Sequence, residues 1–183
     1  SRRRHRLCPS ARAAHTRLAE EMTRTVHGDA GLERAQRGTR ALFKNEFEEL
    51  TEAEFDALCR AVELVRAAGL APDVSVGVLS RPRLARIKAA GLSGVHHNLE
   101  VARSFFPHIC TTHSYEDDVE AVRLALAEGL FVCSGGIFGL GESWEQRAEL
   151  ALTLRGLGVD NVPMNFLVPS PGTRLEGRPV LAP

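Results

Sequence analysis

Four stretches of the chain end almost alike, AAGL at 67–70, AAGL at 89–92, AEGL at 127–130 and RGLG at 155–158. Each closes a helical pattern with a glycine, the residue that tolerates the left-handed backbone at a helix end. Each leads towards a short apolar run: VSVGVL (74–79), GVHHNLE (94–100), FVCSGGIFGL (131–140) and VDNVPMNFLVP (159–169). Helices of ten to fifteen residues alternating with short strands are the pattern of βα units and a parallel sheet. Two architectures fit, a doubly wound open sheet and part of a (β/α)8 barrel. A complete barrel takes about 250 residues, whereas this chain has 183 and shows four clear strands. In both architectures function gathers where strands end, so the polar residues at those ends carry the argument.

The helices can be delimited from their caps. Thr51 stands three residues before Glu54, the capping-box spacing, and Phe55, Leu58, Cys59, Val62 and Val65 follow at helical intervals up to Gly69. This places Cys59 on the buried face. SYEDDVEAVRLALAEGL has Ser114 as cap and Gly129 as terminator, and SWEQRAELALTLRGLG forms the last helix. The first fifty residues are different. They are rich in arginine, show neither a strand pattern nor one long amphipathic face, and are read as a loosely ordered segment with a short helix around LAEEMTRTV. The expected division is therefore 1–50 and 51–183.

A formal net charge of zero removes the electrostatic case for nucleic acid or an anionic membrane as partner. A small molecule is the expected ligand. No apolar run reaches the roughly 18 to 20 residues needed to span a bilayer, and the basic start is not followed by the apolar core of a secretory signal. The expectation is a cytoplasmic protein whose four cysteines, Cys8, Cys59, Cys110 and Cys133, are reduced.

Among the strand-end residues, Cys133 lies in VCSGGIFGLGES, where glycines allow close approach of the backbone to a ligand. The stretch is neither a GxGxxG nor a GxxxxGK[ST] motif. From the residues alone Cys133 reads equally as a packed thiol or a ligand. Asn98 and Asn165 are amides in otherwise apolar strands, where each needs a partner; that partner is neighbouring backbone or a neutral polar ligand. Glu100 suits a ribose diol or a surface position. His96, His97, His108 and His113 suggest zinc, but adjacent strand residues point to opposite faces, so one ion cannot take both His96 and His97.

Taken in order, GVHHNLE, HICTTHSYEDDVEAVRLA, VCSGGIFGLGES and VPMNFLVPSPGTRLEG resemble the biotin synthases, radical S-adenosylmethionine (SAM) enzymes, over about Thr51 to the C-terminus. The resemblance implies a (β/α)8 TIM-type barrel carrying SAM, a [4Fe-4S] cluster and an auxiliary [2Fe-2S] or other iron–sulfur cluster. The activity it implies is sulfur insertion into dethiobiotin, driven by a 5′-deoxyadenosyl radical, in an enzyme expected to be homodimeric. By the same resemblance Cys133 is a ligand of the auxiliary cluster, Ile137 packs on the adenine, Glu100 binds the ribose, and Asn98 and Asn165 meet the substrate and its cyclic urea.

The chain departs from that pattern. The CxxxCxxC motif of the radical cluster is missing, Cys8 being the sole cysteine among the first 58 residues. Asp73 stands where a further auxiliary-cluster cysteine is usual, Val101 replaces a threonine and Arg174 a proline. The expectation is a partial (β/α)8 barrel, incomplete at its N-terminal side and joined to an unrelated segment by truncation, frameshift or rearrangement. Such a chain is expected to be inactive on its own and to self-associate through unpaired edges. The alternative is a non-catalytic remnant or a small-molecule-binding fragment.

Overall fold

The computed structural model describes residues 13–44 and 50–181. They fall into two compact units, divided after Lys44.

The first unit is two helical arms, together α1 (Ala13–Lys44), that meet at Gly28, whose φ of 69° no helix accommodates. Its two arms face each other: Gln36 Nε2 donates to Glu20 Oε1 at 3.0 Å, and Leu32 is buried. The short helix expected around 18–26 is thus part of a longer first arm, and the loose order expected of the rest does not hold over 13–44. Alanines and i,i+4 ion pairs such as Arg17–Glu21 (2.8 Å) and Arg37–Glu33 (3.2 Å) support the helix. The amphipathic signal is weak, and Leu18, Met22 and Val26 remain exposed.

The second unit follows the alternation: α2 (Glu52–Ala67), β1 (Asp73–Val74), α3 (Arg81–Ala89), β2 (Gly94–His96), a 3-10 turn at Phe106–His108, α4 (Tyr115–Ala127), β3 (Phe131–Cys133), β4 (Gly136–Phe138), α5 (Trp144–Leu157) and β5 (Met164–Phe166). Three helices begin with reciprocal caps, Thr51/Glu54, Ser114/Asp117 and Ser143/Gln146, each contributing about 1 kcal/mol. Gly69 and Gly129, with φ of 81° and 69°, stop α2 and α4 as their sequence positions require.

All the strand pairs are parallel. Bridges Glu100↔Gly136 and Cys133↔Asn161 tie the sheet β1-β2-β3 to the pair β4-β5. In effect, β3 and β4 form one interrupted strand between β2 and β5, giving four parallel strands in sequence order. Among the described residues the sheet does not close, and the architecture is a partial TIM-type barrel. The strands are shorter than the apolar runs suggest, since left-handed residues interrupt them: Gly77 (φ 61°) after β1 and Glu100 (φ 61°) after β2. The core lies between sheet and helices, where Phe55, Ile87, Leu99, Val119, Val122 and Val132 are almost fully buried. Burial of each stabilises the fold by about 1.5–3 kcal/mol.

Candidate functional site

Alternation along β2 sends His97 and His96 to opposite sides. His97 turns towards the helices, where its Nε2 lies 2.8 Å from Asp118 Oδ1 on α4; Asp118 Oδ2 in turn lies 3.0 Å from His113 Nε2. His96 turns to the other face. There its Nδ1 lies 3.1 Å from Cys133 Sγ, in register on β3. Asn161 Nδ2 donates to the same sulfur at 3.2 Å. Cys133 is half-buried, with two polar neighbours on its sulfur, rather than a thiol packed among apolar side chains. Cys59 has the latter environment, and burial pushes its pKa up.

The other residues singled out from the sequence lie along the same strand ends. Asn98 Oδ1 accepts the Gly135 N–H at 3.0 Å, so its oxygen is tied to neighbouring backbone. Ile137 is the register partner of Asn165 across β4–β5. Asn165 is exposed, which removes the need for a partner expected of it as a buried amide. Cys133, Gly135 and Ile137 fall two apart, as do Asn161, Pro163 and Asn165 beside them. A Cβ at Gly135 would run into the Pro163 carbonyl, and one at Gly136 into the Glu100 carbonyl; the glycines let the interrupted strand fit between its neighbours.

Glu100 is the most unusual of these residues. It is the sole non-glycine described at positive φ, 61°, a conformation costing an L-residue about 1–2 kcal/mol. Its Oε2 is buried without a hydrogen-bond partner. Burial raises its pKa, against a lowering by its hydrogen bond with Asn98. Strained backbone and orphan buried polar atoms cluster at functional sites, which makes Glu100 the first candidate here.

Curated proteins similar to this chain include biotin synthases from Geobacter metallireducens, 54% identical over 131 residues, and Geotalea uraniireducens, 54% identical over 140 residues. Another, from Trichlorobacter lovleyi, is 57% identical over 123 residues. These matches cover 71%, 76% and 67% of the chain. The matched segment belongs to the biotin synthase family. It spans only about two-fifths of those biotin synthases, 40%, 41% and 37% of their lengths. No family model matches the chain. Two solved structures share the fold of the biotin synthase segment. Methylornithine synthase (PylB) is similar at a TM-score of 0.61 and 22% identity, over 67% of this chain and 37% of that one. A radical SAM methyltransferase from Kitasatospora setae, TsrM, solved with cobalamin and a [4Fe-4S] cluster, is similar at 0.50 and 20%, over 63% and 23%.

The residues present fit one part of the radical SAM equipment and not another. A thiolate-held [4Fe-4S] cluster needs several cysteines around one point. Among the described residues, Cys59, Cys110 and Cys133 are free thiols, and no three His, Cys, Asp or Glu side chains are placed to hold a metal ion together. That cluster has no seat among the described residues. The Glu100 carboxylate, by contrast, has an oxygen to offer a hydroxyl donor. Sequence reading passed over Asn161, whose amide stands four residues before Asn165 on the same run, and the Asp118 link between His97 and His113. A carboxylate in the first turn of a helix ordinarily reads as a solvated end, whereas Asp118 is 3% exposed.

Proposed function

We propose that residues 51–183 carry the nucleoside- and urea-binding part of a biotin synthase-like site, able to bind SAM and dethiobiotin but not to turn them over alone. The observation that carries this reading is Glu100, strained and with an unpartnered buried oxygen at a parallel strand end. In this reading Glu100 accepts from the ribose hydroxyls of SAM and Ile137 packs on the adenine. Asn165, exposed and facing Ile137 in register, donates to and accepts from the cyclic urea. The Asn98 amide group helps to place Glu100 while its oxygen holds Gly135. Cys133 is the protein ligand for an auxiliary iron–sulfur cluster, a group that in a complete enzyme supplies sulfur for insertion.

The residues support binding and orientation, and nothing described supports generation of a radical. Turnover therefore requires groups other than these. Isothermal calorimetry with SAM and dethiobiotin, in EDTA to keep metals out, tests the reading directly. Binding of either that is lost in Glu100→Gln or Asn165→Ala supports it; no heat with either ligand overturns it. As a second arm, anaerobic cluster reconstitution with dithionite is expected to yield no 5′-deoxyadenosine. The exposed Met164 and Phe166 on β5, 65% and 44% accessible, favour self-association, and a concentration-independent monomer in size-exclusion chromatography would contradict that part.

A further inference from the structure

We propose that Cys110, His113 and Asp118 form an activated-thiol site, at which Cys110 exchanges with small disulfides and carries the resulting mixed disulfide. The site does not depend on the SAM or iron–sulfur reading. Its residues lie in the connection between the 3-10 turn and α4 and in the first turn of α4 itself. Cys110 Sγ lies 3.5 Å from His113 Nδ1, and His113 Nε2 lies 3.0 Å from Asp118 Oδ2. Asp118 is 3% exposed, and its other oxygen lies 2.8 Å from His97 Nε2, so the carboxylate is held from two sides.

An imidazole that gives its Nε2–H to a carboxylate keeps Nδ1 as an acceptor. Here Nδ1 is the nitrogen nearer the thiol. A nucleophile beside a base, with the base oriented by a third group, is the arrangement that activates weak nucleophiles. Thr112 Oγ1, 2.9 Å from the same nitrogen and 3.4 Å from the sulfur, can pass the proton across or donate to the thiolate once formed. The other cysteine–histidine contact, Cys133 with His96, has no carboxylate behind its ring among the described residues.

Exchange also needs an accessible sulfur. Thr111, Thr112 and His113 are exposed and Cys110 is half-buried, whereas Cys59 is buried. Burial raises the pKa of Cys110 as well, but hydrogen bonds from the Thr112 side chain and from the backbone at Thr112 and His113 outweigh it and hold the thiol below its ordinary value. In the reaction the thiol proton passes to His113 and the Cys110 sulfur attacks one sulfur of the disulfide. A new S–S bond forms as the old one breaks, and the departing thiolate takes the proton from His113. The small disulfide is the oxidant, consumed one for one.

The test is reaction of the whole chain with glutathione disulfide at pH 6, where an ordinary thiol of pKa about 8.5 is only about 0.3% thiolate, followed by peptide mass mapping. Cys110 is expected to form its mixed disulfide at least tenfold faster in the folded chain than in the same chain unfolded in urea, although unfolding removes all shielding. A rate in urea that equals or exceeds the folded rate overturns the proposal, and this arm needs no variant. His113→Gln should slow the folded reaction about tenfold; a rate like the parent's also overturns it. Asp118 acts through His113 and is a positioning residue. Among the described residues the titratable groups facing the thiol are His113 on its own stretch and Asp118 on α4, so a pH–rate profile reads them. Asp118→Asn, with its helix content checked by circular dichroism, should move the midpoint of that profile up, towards that of the unfolded chain. Loss of the charge alone would move it down, because the Asp118 carboxylate by itself opposes a thiolate. A downward shift, or none, overturns the three-residue site.

Discussion

The helix-covered face of the sheet and the face opposite it are made by the same strands, one residue out of step. On the covered side Leu99 and Val132 have 0% exposure, and the polar residue there, His97, is bonded to the buried Asp118. On the other side stand His96, Asn98, Cys133, Asn161 and Asn165, with Phe131 47% exposed and Asn165 exposed as well. One face is a closed core from β1 to β3, and the other is a polar, open surface. Because side chains alternate along a strand, stability and function can be altered separately here by substituting neighbouring residues.

The sharpest break is a core truncation set against one on the exposed edge. Leu99→Ala removes a fully buried side chain and is expected to cost about 2–5 kcal/mol. Met164→Ala, on the 65% exposed edge residue, should shift stability by no more than about 0.5 kcal/mol. Urea unfolding followed through the single tryptophan, Trp144 at the start of α5, measures both. Similar losses would mean that the covered core and the exposed β5 edge do not differ as described.

A smaller loss is expected where polarity intrudes on the covered face. Asp118→Ala leaves the His97 ring, 8% exposed, without its carboxylate partner and should cost about 1–3 kcal/mol. His113→Ala deletes the other, more exposed partner and should cost less. An Asp118→Ala protein as stable as the parent would remove the link from the list of what holds α4 to the sheet.

Much of the covered face could be read from the amino acids. The caps at Thr51, Ser114 and Ser143 and the terminators Gly69 and Gly129 are local devices, so nearby residues suffice to place them. The opposite face was legible as a set of residue types at strand ends, and less so as a geometry. That Asn98 spends its oxygen on Gly135 depends on a hydrogen bond across 37 positions, which no local pattern encodes. The contact of His96 with Cys133 depends on strand register in the same way. The first unit is less legible for another reason: helical arms supported by alanines and surface ion pairs carry little amphipathic signal, even when together they fill Ala13–Lys44.

Glu100 joins the two faces, and its substitution should separate fold from ligand with opposite signs. Glu100→Gly relieves a left-handed conformation worth about 1–2 kcal/mol, less part of that for the freedom glycine adds to the unfolded chain. A net gain of about 1 kcal/mol is expected, together with loss of SAM binding. The pH dependence follows from the same carboxyl. Burial holds its pKa above the ordinary value, so the folded chain binds the proton more tightly than the unfolded one. Its contribution is therefore most favourable at low pH and declines as pH rises from the ordinary carboxylate pKa through the raised one. The stability difference between Glu100→Gln and the parent, measured by urea unfolding from pH 4 upward, should grow in favour of the variant across that window. A flat difference would show that the carboxylate is not under electrostatic penalty.

Asn165 is expected to have the smallest effect on the fold, and for that reason gives the finest test of the open face. Its side chain is exposed on β5, opposite Ile137, and holds nothing described in place. Asn165→Ala should leave the unfolding midpoint within about 0.5 kcal/mol of the parent. If the amide meets a cyclic urea, the same change removes hydrogen bonds to a neutral ligand, each worth about 0.5–1.5 kcal/mol, and dethiobiotin affinity should fall by about tenfold while SAM affinity is unchanged. A loss of stability with no change in binding would reverse the assignment: the residue would then belong to the framework, and the substrate amide would have to be sought elsewhere along the strand ends, with Asn161 the first position to examine.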